Sequence, residues 1–124
     1  MKNLIFAGFL FVTLAGNISC TSPTPSEMAA AQNLPGIKKQ IENGAFVVDV
    51  RTPQEFAGGT FGNAVNIPLS EVEARVAEFQ GKPSVIVFCR SGKRASQAID
   101  ILKANGIKNI TNGINVSTME AETK

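Results

Sequence analysis

The hydrophobic pattern of the chain alternates between short apolar runs and stretches in which apolar residues recur at helical spacing. The predicted strands are Phe46–Val50, Ala64–Ile67, Val85–Phe88 and Lys108–Thr111. The run Val85–Phe88 shows no polar alternation, which is typical of a central parallel strand covered on both faces. The pattern therefore predicts an α/β domain with a central parallel sheet of about four to five strands and helices on both faces.

Helical spacing and capping signals predict the helices between these strands. They are expected over 34–43, 52–58, 70–81 and from about Arg94 to Asn105, with glycine near the end of each. The second and third begin with sequences that fit capping boxes, Thr52 with Glu55 and Ser70 with Glu73.

The first 20 residues are interpreted as an export signal rather than as part of the fold. Lys2 precedes an apolar run over 4–15 that is short for a membrane span. The segment ends in LAGNISC, which resembles the lipobox of bacterial lipoproteins and makes Cys20 the lipidated residue. We expect an exported periplasmic or cell-envelope protein, anchored to a membrane by a lipid on Cys20. Asn17 stands where leucine is usual, so cleavage to a soluble product is the alternative.

After this segment the chain divides into a tether, one small domain and a tail. Residues 21–33 hold two prolines and little apolar bulk, as in a mobile linker. Residues 34–114 suffice for one small domain. The tail, 115–124, is polar and is expected to fray, with Met119 as its one sizeable anchor. The 12 basic and 10 acidic residues nearly balance, which argues against nucleic acid as a partner.

The candidate chemistry lies in CRSGKR, residues 89–94, after the strand Val85–Phe88. Cys89 is expected to face the amino end of the next helix, at the edge where α/β sheets bind ligands. The nearby cations are Arg90, Lys93 and Arg94. Together with loop amides turned inward at Gly92, they favour the thiolate of Cys89. The chain has no histidine, which excludes a Cys/His catalytic pair and a Cys/His zinc site, and we expect no metal or cofactor.

Two alternatives for Cys89 remain open. It could be a small buried hydrophobic residue at a strand end, beside basic residues that only solvate a turn. It could also form a disulfide with Cys20, the other cysteine, although this bridge would tie the signal to the centre of the domain. If Cys20 is lipidated or removed, Cys89 stands alone as an unpaired thiol.

Asp49 is the one charged residue of the strand Phe46–Val50. An unpaired buried carboxylate is costly, so Asp49 needs a partner. Arg51 could be that partner, or it could face the same crevice as the Cys89 loop.

Three blocks of the chain resemble, in order, the signature blocks of a single-domain rhodanese. They are VVDVRTPQEF, GNAVNIPLSEV and VIVFCRSGKRASQAIDILKANGIKNI. The resemblance covers about 35–113 and implies the rhodanese α/β fold. It also implies that Cys89 accepts a sulfane sulfur as a persulfide and passes it to a thiol or cyanide. The implied substrate-binding residues are Arg90, Ser91, Gly92, Lys93, Arg94 and Arg51, with Asp49 as a supporting residue.

The chain departs from the family pattern at two places. Gly59-Thr60 stands where the family usually has Gly-His, which affects local packing more than the chemistry. The family often ends its last strand with paired glycines and an aromatic-bearing helix. Here Asn112-Gly113-Ile114 is followed by a short polar tail, which puts the sealing of that edge in question.

The length of the loop favours sulfur transfer over phosphate hydrolysis. Phosphatases related to this fold place five residues between the cysteine and the arginine, whereas only four separate Cys89 from Arg94. A shorter ring of amides suits one added sulfur atom better than a phosphoryl group. The expected function is therefore sulfur transfer from a small anionic donor such as thiosulfate. The alternative is a non-catalytic sulfur carrier or docking module of the same fold.

Overall fold

The computed structural model describes residues 34–124 and shows an α/β fold around one sheet. In chain order the elements are α1 (Ile37–Glu42), β1 (Phe46–Asp49), α2 (Pro53–Ala57), β2 (Val65–Asn66), α3 (Leu69–Val72), a 3₁₀ turn (Val76–Phe79), β3 (Val85–Phe88), α4 (Lys93–Ala104), β4 (Ile110–Ile114) and α5 (Val116–Glu122). The four strands are parallel and lie in the order β2-β1-β3-β4. The predicted fold class is confirmed.

Strand β3 separates the two halves of the hydrophobic core. On one face of the sheet, Val87 lies in the same buried cluster as Leu102 of α4. On the other face, Ile86 lies with Ile37 of α1 and Met119 of α5. All four side chains of β3 are fully buried, which confirms that this strand is internal and covered on both faces.

The first predicted capping box is present, and the longest helix ends where its sequence predicts. The Thr52 hydroxyl accepts from the Glu55 amide, and the Glu55 carboxylate accepts from the Thr52 amide. Helix α4 begins at Lys93, one residue before the predicted start, and ends with Asn105 as its cap. The following Gly106 has a φ of 88°, the left-handed conformation that glycine adopts without steric cost.

The second predicted capping box is wrong. Pro68 caps α3, so the helix starts before Ser70, and no side chain caps its first turn. Ser70 therefore lies inside the helix Leu69–Val72, and Glu73 follows the last helical residue. The two residues cannot form the predicted pair at the start of this helix. The single helix expected over 70–81 is instead a short α-helix followed by the 3₁₀ turn.

The carboxyl-terminal residues form a docked helix instead of the frayed tail that we expected. The Asn115 side chain accepts from the Thr118 amide at 2.8 Å and caps α5. Met119 is fully buried between this helix and the sheet. Gly113 makes room for it, because a Cβ at that position would overlap the Met119 sulfur. The sequence indicated the anchor Met119 but not the Asn115 cap, and the polar composition of the remaining residues led to the prediction of a frayed tail.

Several predictions fall outside the residues that the structure describes. They are the export signal over 1–20, lipidation of Cys20 and the tether over 21–33. Within residues 34–124, no helix is both long enough and apolar enough to cross a membrane.

We predict that Met119→Ala lowers the free energy of unfolding by about 2–5 kcal/mol, because it leaves a cavity between α5 and β3. Urea denaturation measures this change. The matched control is Glu120→Ala, an exposed change on the same helix, with an expected effect within about 0.5 kcal/mol. Equal effects of the two substitutions would contradict the docking of α5.

Candidate active site

Cys89 lies immediately after β3, at the carboxyl edge of the parallel sheet. Its amide donates to the carbonyl of Ile114 at 3.0 Å, which extends the contact between β3 and β4 by one residue. The chain then turns through 90–92 and enters α4 at Lys93. The predicted arrangement of strand, loop and helix amino end is therefore present, with Cys89 at its base.

The loop depends on glycine at position 92. Gly92 has a φ of 85°, in the left-handed region that side chains rarely occupy. A Cβ there would also lie 3.4 Å from the Ile114 Cγ2 atom of β4. Both the conformation and the close approach of β4 therefore favour glycine.

The sulfur of Cys89 is surrounded by backbone amides. The Gly92 amide donates to Cys89 Sγ at 3.0 Å, and this contact is buried. Burial raises the pKa of the Cys89 thiol, but hydrogen bonds from the amides of Ala95, Ser91, Gly92 and Arg94 together lower that pKa below the ordinary cysteine value. The site thus stabilises a thiolate with peptide dipoles.

The burial of Cys89 agrees with the alternative that this residue is a small buried hydrophobic residue at a strand end. The residue is only 1% exposed and belongs to the buried cluster on the α4 side of the sheet. A purely structural cysteine needs no donors, however, whereas this sulfur accepts an amide hydrogen bond at the start of a helix. Packing alone does not account for that arrangement.

The cations of the loop fall into two groups. Arg90 and Lys93 are exposed, and neither forms an ion pair within residues 34–124. Arg94 is instead bound by Glu55 of α2, at 2.8 and 3.0 Å between guanidinium nitrogens and carboxylate oxygens. The first two are available to an anionic ligand, whereas Arg94 fastens the loop to α2.

Asp49, at the end of β1, and Arg51 form an ion pair in which the carboxylate is buried and the guanidinium is partly buried. The Asp49 carboxylate is fully buried and accepts from Arg51 at 2.7 Å. It also accepts from the Thr60 hydroxyl at 2.9 Å, so Thr60, a departure from the family pattern, helps to satisfy the buried carboxylate. The Arg51 guanidinium donates to the Gly59 carbonyl as well, at 2.6 Å. The structure thus gives Asp49 a charged partner, and substrate binding by Arg51 stays a prediction.

Three contacts around the loop were not predicted from the sequence. Glu55 was recognised only as part of a capping box, and the ion pair with Arg94 joins residues 39 positions apart. Thr60 was recognised only as a departure from the family pattern. Asn112 donates to the Gly92 carbonyl at 3.0 Å. Its place at the carboxyl end of the last strand, the same edge as Cys89, is the signal that could have found it.

The described residues contain no cluster of metal-binding side chains. Nowhere in 34–124 do three His, Cys, Asp or Glu side chains lie close enough to hold an ion together.

Comparisons with known proteins identify related sequences and structures. The model of the rhodanese-like domain matches residues 33–116. A human thiosulfate:glutathione sulfurtransferase is 34% identical over 93 residues, covering 63% of this chain and 81% of that protein. The solved structure of a rhodanese with anions from E. coli superposes with a TM-score of 0.56 at 30% identity, covering 60% of this chain and 91% of that one.

The chain spans about half the length of other curated relatives that it matches. An uncharacterised protein of Bacillus subtilis is 38% identical over 68 residues, which are 55% of this chain and 54% of that protein. The similarity to such proteins is therefore a similarity of one domain.

We predict that Glu55→Gln destabilises the fold in a pH-dependent way. Hydrogen bonds from Arg94 and from the Thr52 amide lower the pKa of Glu55 from 4.5 to about 2. A carboxylate with a depressed pKa in the folded state adds stability that is complete above its unfolded pKa and is lost as the pH falls through the folded value. The difference in unfolding free energy between wild type and variant should be largest near pH 7 and shrink as the pH falls from about 4.5 to about 2.

Urea denaturation at several pH values tests this prediction. The control is Glu73→Gln, which removes an exposed carboxylate that forms no ion pair in the described part of the chain. A difference for Glu55→Gln that stays constant from neutral to acidic pH would contradict the role given to this carboxylate.

Proposed function

The chain belongs to the rhodanese-like family, and on that basis we propose that it transfers sulfur through a persulfide on Cys89. The donor is thiosulfate or a related small anion, and the acceptor is a thiol or cyanide. Two comparisons support these classes of substrate: the human relative is named for thiosulfate and glutathione, and the E. coli rhodanese was solved with anions.

The observation that carries the proposal is the hydrogen bond from the Gly92 amide to Cys89 Sγ at 3.0 Å. A thiolate is the reactive form of cysteine, and amides fixed by the fold stabilise it without reorganising. The same amides would stabilise the negative charge of a persulfide, which lies one bond further out. The loop therefore suits both the resting nucleophile and the loaded intermediate.

The proposed reaction proceeds in two balanced steps. The Cys89 thiolate attacks the outer sulfur of thiosulfate, a new S–S bond forms, and sulfite leaves with the electron pair of the broken bond. The thiolate of an acceptor then attacks the outer sulfur of the persulfide and releases the Cys89 thiolate. Neither step needs an outside oxidant or reductant.

Exposure and charge around the loop favour a small anionic donor. Cys89 is 1% exposed, so its sulfur offers little surface to a bulky reactant. Arg90 and Lys93 are exposed beside it and would attract an anion. Because Glu55 binds the guanidinium of Arg94, that side chain is less available to clamp a phosphoryl group.

We predict that Cys89→Ala abolishes sulfur loading and sulfur transfer while the fold remains intact. The measurements are intact mass before and after thiosulfate, which reports one added sulfur atom, and turnover with cyanide or a thiol as acceptor. Cys20→Ala is the matched control and should keep both activities. Transfer by a folded Cys89→Ala variant would overturn the proposal.

The same experiment separates an enzyme from a sulfur carrier. Repeated turnover, with sulfite produced in excess over protein, supports the enzyme. One sulfur atom on Cys89 without repeated turnover would instead indicate a carrier or docking module.

We also propose that the protein is exported and anchored to a membrane of the cell envelope by a lipid on Cys20. The support is the sequence alone: Lys2, the apolar run over 4–15 and LAGNISC ending in Cys20. The mature protein should carry the added mass of a lipid and should partition with membranes, and Cys20→Ala should abolish both. A wild-type protein without that mass, found in the soluble fraction, would show ordinary cleavage instead.

A further inference from the structure

The last strand of the sheet is irregular where it meets the Cys89 loop. Val87 of β3 pairs with Asn112, but the next residue, Phe88, pairs with Ile114, so Gly113 is an extra residue in β4. Such a bulge redirects the side chains next to it. Ile114 has a φ of 67°, and it is the single non-glycine residue with a positive φ among residues 34–124. This backbone conformation is costly for a β-branched residue, so neighbouring contacts must maintain it.

The Asn112 side chain supplies such contacts. Its carbonyl oxygen accepts from the Ile114 amide at 2.9 Å. Its amide nitrogen donates to the Gly92 carbonyl at 3.0 Å and to the Ser96 hydroxyl at 3.0 Å. One side chain therefore joins the bulge of β4 to the turn of the loop and to the first turns of α4.

These contacts reach both ends of the loop that holds the thiol. The Ile114 carbonyl accepts from the Cys89 amide at 3.0 Å, at the first residue of the loop. Gly92, at the other end, donates its own amide to Cys89 Sγ while its carbonyl accepts from Asn112. Gly92, whose amide reaches the sulfur, is thus tied to β4 by Asn112, and its carbonyl also accepts the Ser96 amide of α4 at 2.9 Å.

We propose that Asn112 is a positioning residue that fixes the Cys89 loop in its amide-donating conformation. This role deepens the proposed sulfur transfer and rests on it, since it concerns the same thiol. A primary amide suits the position because it has an acceptor for the Ile114 amide and two donor hydrogens for the Gly92 carbonyl and Ser96. Alanine offers neither function, and leucine has a similar shape without any hydrogen bond.

The test is the pH dependence of Cys89 alkylation by iodoacetamide in the full chain. Peptide mass spectrometry separates labelling of Cys89 from labelling of Cys20. Only the thiolate is alkylated, so the midpoint of the rate profile reports how well the loop stabilises it. In Asn112→Ala we expect the midpoint to rise by about one pH unit, and the rate on the acidic side of the profile to fall about tenfold. Asn112→Leu should show the same rise in the midpoint. It replaces Asn112→Ala in the test if the alanine variant does not fold.

The matched control is Asn109→Ala. Asn109 also donates two hydrogen bonds from its amide, to the carbonyls of Lys82 and Pro83, but at the opposite end of the β4 region from the loop. Asn109→Ala should therefore leave the midpoint of Cys89 alkylation unchanged. The charged groups of the loop and of the elements packed around it are Arg90, Lys93, Arg94, Asp49, Arg51 and Glu55, and every variant retains them.

The outcomes separate this proposal from the proposed function. A raised midpoint in the Asn112 variants alone supports the positioning role, even if the wild type transfers no sulfur. An unchanged midpoint in a folded Asn112 variant, or equal shifts in the Asn112 and Asn109 variants, would overturn the positioning role while leaving sulfur transfer to be judged on its own assay.

Discussion

The site depends on peptide hydrogen bonds to one buried sulfur. Burial alone would keep the Cys89 thiol protonated, because a charge is poorly tolerated in a low-dielectric interior. The amides of the loop reverse that preference, and the 3.0 Å contact from Gly92 is its clearest geometric sign. A loop that lost this arrangement would leave a cysteine that only fills space. The residues around the loop hold its amides in place.

Two separate parts of the chain, α2 and β4, hold the loop. Glu55 of α2 binds Arg94, and its carboxylate also accepts from the amide of Thr52, the residue that caps α2. The same carboxylate therefore connects the start of α2 to the loop. The carbonyl of Ile114 in β4 binds the amide of Cys89. Asp49 lies outside these contacts: it is buried, and its carboxylate is bound by Arg51 and by the Thr60 hydroxyl.

Local signals predicted the four strands, the longest helix and the position of Cys89, although the last strand runs over Ile110–Ile114 instead of the predicted Lys108–Thr111. An apolar run such as β3 indicates its own burial, and Asn105-Gly106 indicates a helix end, because both effects act over a few residues. Contacts between distant segments could not be found in this way. The pairing of Glu55 with Arg94 depends on how α2 and α4 approach each other, which no spacing within either helix encodes. The second capping box failed because the competing signal of Pro68 started the helix earlier.

Residues of β4 complete the surroundings of the Cys89 loop. Both β4 contacts to the loop, from Ile114 to Cys89 and from Asn112 to Gly92, come from the last strand of the sheet. Parallel pairing of this kind joins segments that are distant in the chain, and its contacts are gained only after the entropic cost of loop closure has been met. A chain that ends before β4 would therefore lack both contacts. The surroundings of the thiol are completed only by the last strand of the sheet, which is also among the last parts of the domain to be synthesised.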